Sequence, residues 1–124
     1  MSEFTSYPAG TPSWVDLMPS DPAAARSFYE KVFGYSYEAP PMDTGGMDYR
    51  MFKLGDHEVG GMTGLPTPDV PPHWGVYFAV ADTDAIVAKA QELGAAVVSE
   101  PSDSPYGRQA TITDPQGATF SMIG

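Results

Sequence analysis

The sequence predicts an α+β fold in which one βαβββ unit is written twice. Trp14 opens the run Trp14-Val15-Asp16-Leu17-Met18, and a helical segment follows it to Phe33-Gly34. Farther along, Trp74 opens Trp74-Gly75-Val76-Tyr77-Phe78-Ala79-Val80, and a second helical segment ends at Leu93-Gly94. Each of these glycines leads into a short extended stretch and then a hairpin. A helix can cover one face of each four-stranded sheet, which leaves the opposite face bare. Two curled sheets of this kind can enclose a cup. The expected structure is therefore a curled, open, eight-stranded barrel forming one domain. Its modules span 12–64 and 73–124, with a linker at 65–72.

The elements follow in order. Residues 1–12 carry Pro8, Gly10 and Pro12 and read as an extended arm. Over 13–18, Val15 and Leu17 alternate with Trp14, Asp16 and Met18, the pattern of a half-buried strand. Ser20-Asp21-Pro22 supplies a cap and a first-turn proline. The helix over 23–33 sets Ala25, Phe28, Tyr29, Val32 and Phe33 on one stripe, so Phe28, Tyr29 and Phe33 are expected in the core. Gly34 ends the helix, and 35–38 is a short strand. A Pro/Gly loop occupies 40–46. Residues 49–54 and 58–63 form a hairpin around Gly55-Asp56-His57. The linker holds Pro66, Pro68, Pro71 and Pro72, which excludes helix and central strand. The second module repeats the order: a strand at 73–80, a helix capped by Asp82 and running to Leu93, a short strand at 95–99, and a loop at 101–105. A hairpin of 108–113 and 118–123 around Asp114-Pro115-Gln116-Gly117 completes it.

Composition narrows the function. At 124 residues and 42% hydrophobic content, the chain can bury a core without staples. Sixteen acidic residues against six basic ones give a net charge of −10. Phosphate backbones and anionic membrane surfaces are bound through clustered Lys and Arg, so neither nucleic acid nor membrane is an expected partner. The chain has no cysteine, which rules out disulfides, thiolate metal sites and a Cys nucleophile. Met1-Ser2-Glu3-Phe4 has no signal-peptide character, and a cytoplasmic location is the expectation.

Three stretches together resemble the vicinal oxygen chelate superfamily, that of glyoxalases, bleomycin resistance proteins and dioxygenases. They are Asp21-Pro22-x-x-Ala25-x-x-Phe28-Tyr29-x-x-Val32-Phe33-Gly34, then Val80-x-Asp82-x-Asp84-Ala85 leading to Leu93-Gly94-Ala95, then Asp114-Pro115-Gln116-Gly117. The resemblance covers about 12–123. It implies a small-molecule site in the cup and a C2 homodimer. In metal-dependent members, four inward side chains from the first and last strands of each half hold a divalent ion. Carried over, these positions fall at Trp14, Gly75, about Gly61, and Ser121. Indole, two glycines and an alcohol are not the imidazole and carboxylate donors such ions use, so no metal cofactor is expected. A register slip of two could bring in Asp16 or His73, which keeps an atypical metal-dependent lyase or dioxygenase as an alternative.

Asp16 is the candidate acid–base residue. On the face shared with Trp14, it is either a base or anchor for a cationic or hydroxyl-bearing ligand, or a structural partner of Arg50 or Arg108. Trp14, Tyr49, Met51 and Tyr77 are candidate cavity walls, and packing is their other reading. Gln109, Thr111 and Ser121 are polar where the last hairpin should face the cup. His73 is a candidate rim contact, and His57 reads as an exposed turn residue. Trp74 should face the helix or a dimer contact. Gly60-Gly61 leaves room for a close approach. Three functions fit these residues: a metal-free protein that binds a small organic ligand, as a drug-sequestering protein would, or transforms it; a metal-dependent lyase or dioxygenase using Asp16 and His73; and an accessory protein with a filled cup.

Overall fold

The computed structural model describes residues 7–38, 49–65 and 69–124. The loop expected at 40–46 and the middle of the expected linker lie outside these residues. The order is β1 (Pro12–Met18), α1 (Pro22–Phe33), β2 (Ser36–Glu38), β3 (Arg50–Leu54) and β4 (His57–Met62). It continues with β5 (His73–Ala79), α2 (Thr83–Glu92), β6 (Ala96–Ser104), β7 (Gly107–Thr113) and β8 (Thr119–Ile123). This is the expected α+β class, βαβββ twice over. By contact the chain forms two compact units, one of Val15–Trp74 and one of Gly75–Gly124 with the arm ending at Trp14.

In the first unit the strands lie in the order β2-β3-β4-β1. β1 runs parallel to β4, while β3 is antiparallel to both β2 and β4. The side chain of Asp21 accepts from the Ala24 amide at 3.2 Å and Pro22 opens the first turn, so α1 starts where its cap chemistry directs. Gly34 ends α1 with φ +77°, a left-handed conformation that suits glycine. The core beneath α1 is Leu17, Phe52 and Met62, with Ala25, Tyr29 and Tyr37 packed against it. Phe52 is fully buried, with the rings of Tyr29, Tyr35, Tyr37 and Trp74 at centroid distances of 6.1, 5.4, 5.0 and 5.9 Å.

The second unit has the order β5-β8-β7-β6. The arm runs beside β5, where Gly10 donates to the Ala79 carbonyl and the Ala79 amide donates to Thr11. Asp82 caps α2 by accepting from the Ala85 amide at 3.1 Å. Val87 of α2 packs on Ala110, Ile112 and Met122. The start of α2 is fastened to β7: Thr83 Oγ1 donates to the Arg108 carbonyl at 2.6 Å. The Arg108 guanidinium donates to both Asp84 oxygens, at 2.6 and 3.1 Å, and to Asp103 at 3.0 Å.

Three local expectations change. Phe28 and Phe33 are not core: they are 58% and 55% exposed, and Tyr29 alone of the three turns toward the sheet. The aromatic stripe on α1 is wider than the sheet beneath it can cover. The first hairpin turns on Gly55-Asp56 alone, with Gly55 at φ +63°, so His57 begins β4. His57 is exposed there, as expected. Pro101 lies inside β6, in place of the loop expected at 101–105. Two register shifts, between Val97 and Ser99 and between Ser99 and Ser102, absorb it. β6 is the outer strand of its sheet, where a residue lacking an N–H is tolerated.

Core packing and the Arg108 pairing each set a measurable expectation. The register aligns Phe52 of β3 with Ile112 of β7 as equivalent positions of the two modules. Phe52→Ala should cost about 3–5 kcal/mol and Ile112→Ala about 2–5 kcal/mol, read as shifts in the urea midpoint. The hydrogen bond from Arg108 holds the Asp84 carboxyl below the usual carboxylate range. A lowered folded-state pKa stabilises above the unfolded value and is lost as pH falls through the folded value. Asp84→Asn should therefore lower the melting temperature slightly near neutrality, and the difference should shrink as the pH falls below the ordinary carboxylate range.

Candidate functional site

The faces not covered by the helices carry the candidate polar groups. Leu17, Phe52 and Met62 point to α1, so by strand alternation Asp16, Met51 and Gly61 point the other way. The register sets these three on one rung: Asp16 pairs with Gly61, and Gly61 pairs with Met51. Tyr49, just before β3, reaches the same rung. Its hydroxyl donates to Asp16 Oδ1 at 2.7 Å. Asp16 is 4% exposed and Tyr49 6%. A carboxylate at that depth needs hydrogen-bond donors, and the phenol is one.

Gly61 makes this contact possible. A methyl group at position 61 would run into the Tyr49 hydroxyl and ring carbon, and would come within 2.6 Å of Asp16 Oδ1. Gly60 is constrained differently, since a side chain there would meet the Val15 carbonyl at 2.8 Å.

The second unit repeats the rung with other chemistry. Ala110, Ile112 and Met122 face α2, which leaves Tyr77, Gln109, Thr111 and Ser121 on the uncovered face. Tyr77 pairs with Ser121, and Ser121 with Thr111. Thr111 Oγ1 and Ser121 Oγ lie 2.7 Å apart in a hydrogen bond. Thr113 and Thr119 repeat the hydroxyl pair one rung along, at 3.0 Å. Ser121 is buried, while Tyr77, Gln109 and Thr111 are half-buried. The equivalent of Asp16 is Tyr77, that of Gly61 is Ser121, and that of Met51 is Thr111.

Trp14 shares the face of Asp16 by strand alternation, while His73, Trp74 and Arg108 are engaged elsewhere. Trp14 is buried on β1. His73 is half-buried, and its Nδ1 lies 2.8 Å from the Pro71 carbonyl, a local loop contact. Trp74 faces the helix side as expected: its indole N–H donates to the Tyr29 hydroxyl at 3.1 Å and the rings meet edge to face. Arg108 is engaged by Asp84 and Asp103. Arg50 donates to the Tyr49 carbonyl at 3.1 Å. The sequence flags Gly60-Gly61 as a close approach but does not say which group approaches. The Tyr49–Asp16 bond joins residues 33 apart, and no local pattern announces it.

The residues do not fit the divalent ion that the superfamily resemblance implies. Among the described residues no group of three or more His, Cys, Asp or Glu could hold one. The register sets Asp16, rather than Trp14, opposite Gly61, and Tyr77, rather than Gly75, opposite Ser121. That exchange contributes one carboxylate, and the space at Gly61 where a last-strand donor would stand is filled by the Tyr49 phenol.

Comparison with known proteins agrees with this architecture. The chain is 47% identical over 115 residues to CFP32 of Mycobacterium tuberculosis, whose name carries a provisional glyoxylase label; the match covers 92% of this chain and 44% of that protein. It is 43% identical over 125 residues to the anthracycline biosynthesis protein DnrV of Streptomyces peucetius, covering 98% and 44%. The chain thus spans less than half the length of these relatives. Among solved structures, methylmalonyl-CoA epimerase from Mycobacterium tuberculosis superposes with a TM-score of 0.63 at 14% identity, over 93% of this chain and 87% of that one. A single-residue variant of the Streptomyces coelicolor methylmalonyl-CoA epimerase superposes with a TM-score of 0.61 at 19% identity, over 94% and 97%. The family model for the Glyoxalase/Bleomycin resistance protein/Dioxygenase superfamily matches residues 11–122, and the chain belongs to that superfamily.

Proposed function

We propose that this protein binds a small organic ligand against the uncovered sheet face of its first module without a resident metal, with Asp16 as the polar anchor or proton acceptor. The observation that carries the reading is the Asp16–Tyr49 bond. A buried carboxylate held by a phenol, on a face with no helix over it, is wasteful in a filled core and useful in a site. The half-buried Tyr77, Gln109 and Thr111 make the second module's own uncovered face polar but uncharged. With one carboxylate and a net charge of −10, the ligand is neutral or cationic and brings at least one hydroxyl or N–H donor. The relatives' names, one a glyoxylase and one from anthracycline biosynthesis, suit an oxygenated compound, and an anthracycline is a planar hydroxylated aromatic. Binding alone and proton transfer by Asp16 are both within this chemistry. A cytoplasmic homodimer belongs to the same proposal as an expectation from the sequence.

Burial favours one other reading. Asp16 and Tyr49 are both nearly inaccessible, as they would be in a packed corner serving an accessory protein.

Titration with 1,8-dihydroxyanthraquinone, followed by tryptophan fluorescence, separates the two. Saturable binding that weakens about tenfold in Asp16→Asn supports the ligand site. No binding, or equal binding by both proteins, supports the packed corner. Metal analysis of protein purified without a histidine tag should find Fe, Mn, Ni and Zn well below one per chain. Stoichiometric metal lost in Asp16→Ala would reinstate the atypical metal site with His73.

A further inference from the structure

We infer that Tyr49 is a positioning residue for Asp16 and that Gly61 admits it, so that a phenol proton occupies the corner where a metal-dependent relative would place an ion's ligand. The inference rests on the reading of Asp16 as the anchor of the site. Three observations carry it. The Tyr49 hydroxyl donates to Asp16 Oδ1 at 2.7 Å within a buried environment. Gly61 stands opposite Asp16 in the strand register. A Cβ at position 61 collides with the phenol and crowds the carboxylate. A side chain at position 61 therefore displaces the Tyr49 phenol from the place in which it bonds to Asp16.

The chemistry of the exchange is specific. A last-strand carboxylate beside Asp16 would put two negative charges on one rung, which a cation or a shared proton must neutralise. Glycine removes one of those charges, and the phenol then supplies a fixed, uncharged donor to the other. An O–H donated to a carboxylate is a strong hydrogen bond, and it fixes the rotamer of Asp16. The second module closes its equivalent position similarly: Ser121 stands where Gly61 stands, and its hydroxyl is tied to Thr111.

The test is a double-mutant cycle with a spectroscopic readout. Gly61→Ala should lower the urea midpoint in the wild-type background, and the same change should cost less in Tyr49→Ala, where the phenol is gone and only the contact with Asp16 remains. If G61A fails to fold while Y49A/G61A folds, the result is the same in a stronger form. Tyr49→Phe keeps the ring and removes the donor, so in carboxyl-labelled protein the carboxylate band that disappears in Asp16→Asn should shift. The same variant should bind dihydroxyanthraquinone about tenfold more weakly. An equal loss from G61A in both backgrounds, or an unmoved Asp16 band in Y49F, overturns the inference. Failure of the wild-type protein to bind the probe counts against the ligand reading alone, because the cycle and the band need no ligand.

Discussion

A phenol at position 49 and a side chain at position 61 compete for the same space beside Asp16, and this exclusion organises the first module's uncovered face. With glycine at 61, the parallel pairing of β1 with β4 brings backbone rather than bulk next to the carboxylate. Tyr49 then enters from the start of β3 and satisfies one carboxylate oxygen. Apolar packing on the opposite face fixes the same strands: Leu17, Phe52 and Met62 can reach α1 only in a register that turns Asp16, Met51 and Gly61 away from it. The polar corner and the aromatic core are thus two consequences of one register.

Duplication provides an internal control. Equivalent rungs hold Asp16, Gly61 and Met51 in one module, and Tyr77, Ser121 and Thr111 in the other. The equivalent helix-facing residues Phe52 and Ile112 are both apolar and buried. The uncovered positions have diverged into a carboxylate–phenol couple and a pair of alcohols. Apolar packing on one face and differing polar chemistry on the other suit a scaffold whose sites vary while its core stays apolar.

The fold is legible in the sequence because its signals are local and repeated. Asp21-Pro22 and Gly34 mark the limits of the first helix, Asp82 and Gly94 those of the second, and alternation identifies β1. Phe28 and Phe33 escape the pattern because helical spacing reports a stripe without reporting how wide a surface it meets. Pro101 hides the length of β6 because a proline's missing donor is costly in a central strand, and position at the rim of a sheet is not written in the local sequence. Asp16, Met51, Gln109, Thr111 and Ser121 stand out by alternation, and the register turns each of them away from its helix. The Tyr49–Asp16 bond and the role of Gly61 depend on strands brought together across the chain, so only the three-dimensional arrangement exposes them.

The broken outline of β6 bears on how the protein behaves in a crowded solution. A straight outer strand offers its free N–H and C=O groups as a template on which another polypeptide can add. Here Pro101 deletes one donor and the two irregularities on either side of Ser99 disrupt the spacing of the rest. A stranger seeking to extend this sheet finds no continuous ladder to join. The distortion that defeats a simple strand assignment is therefore also a safeguard against aggregation.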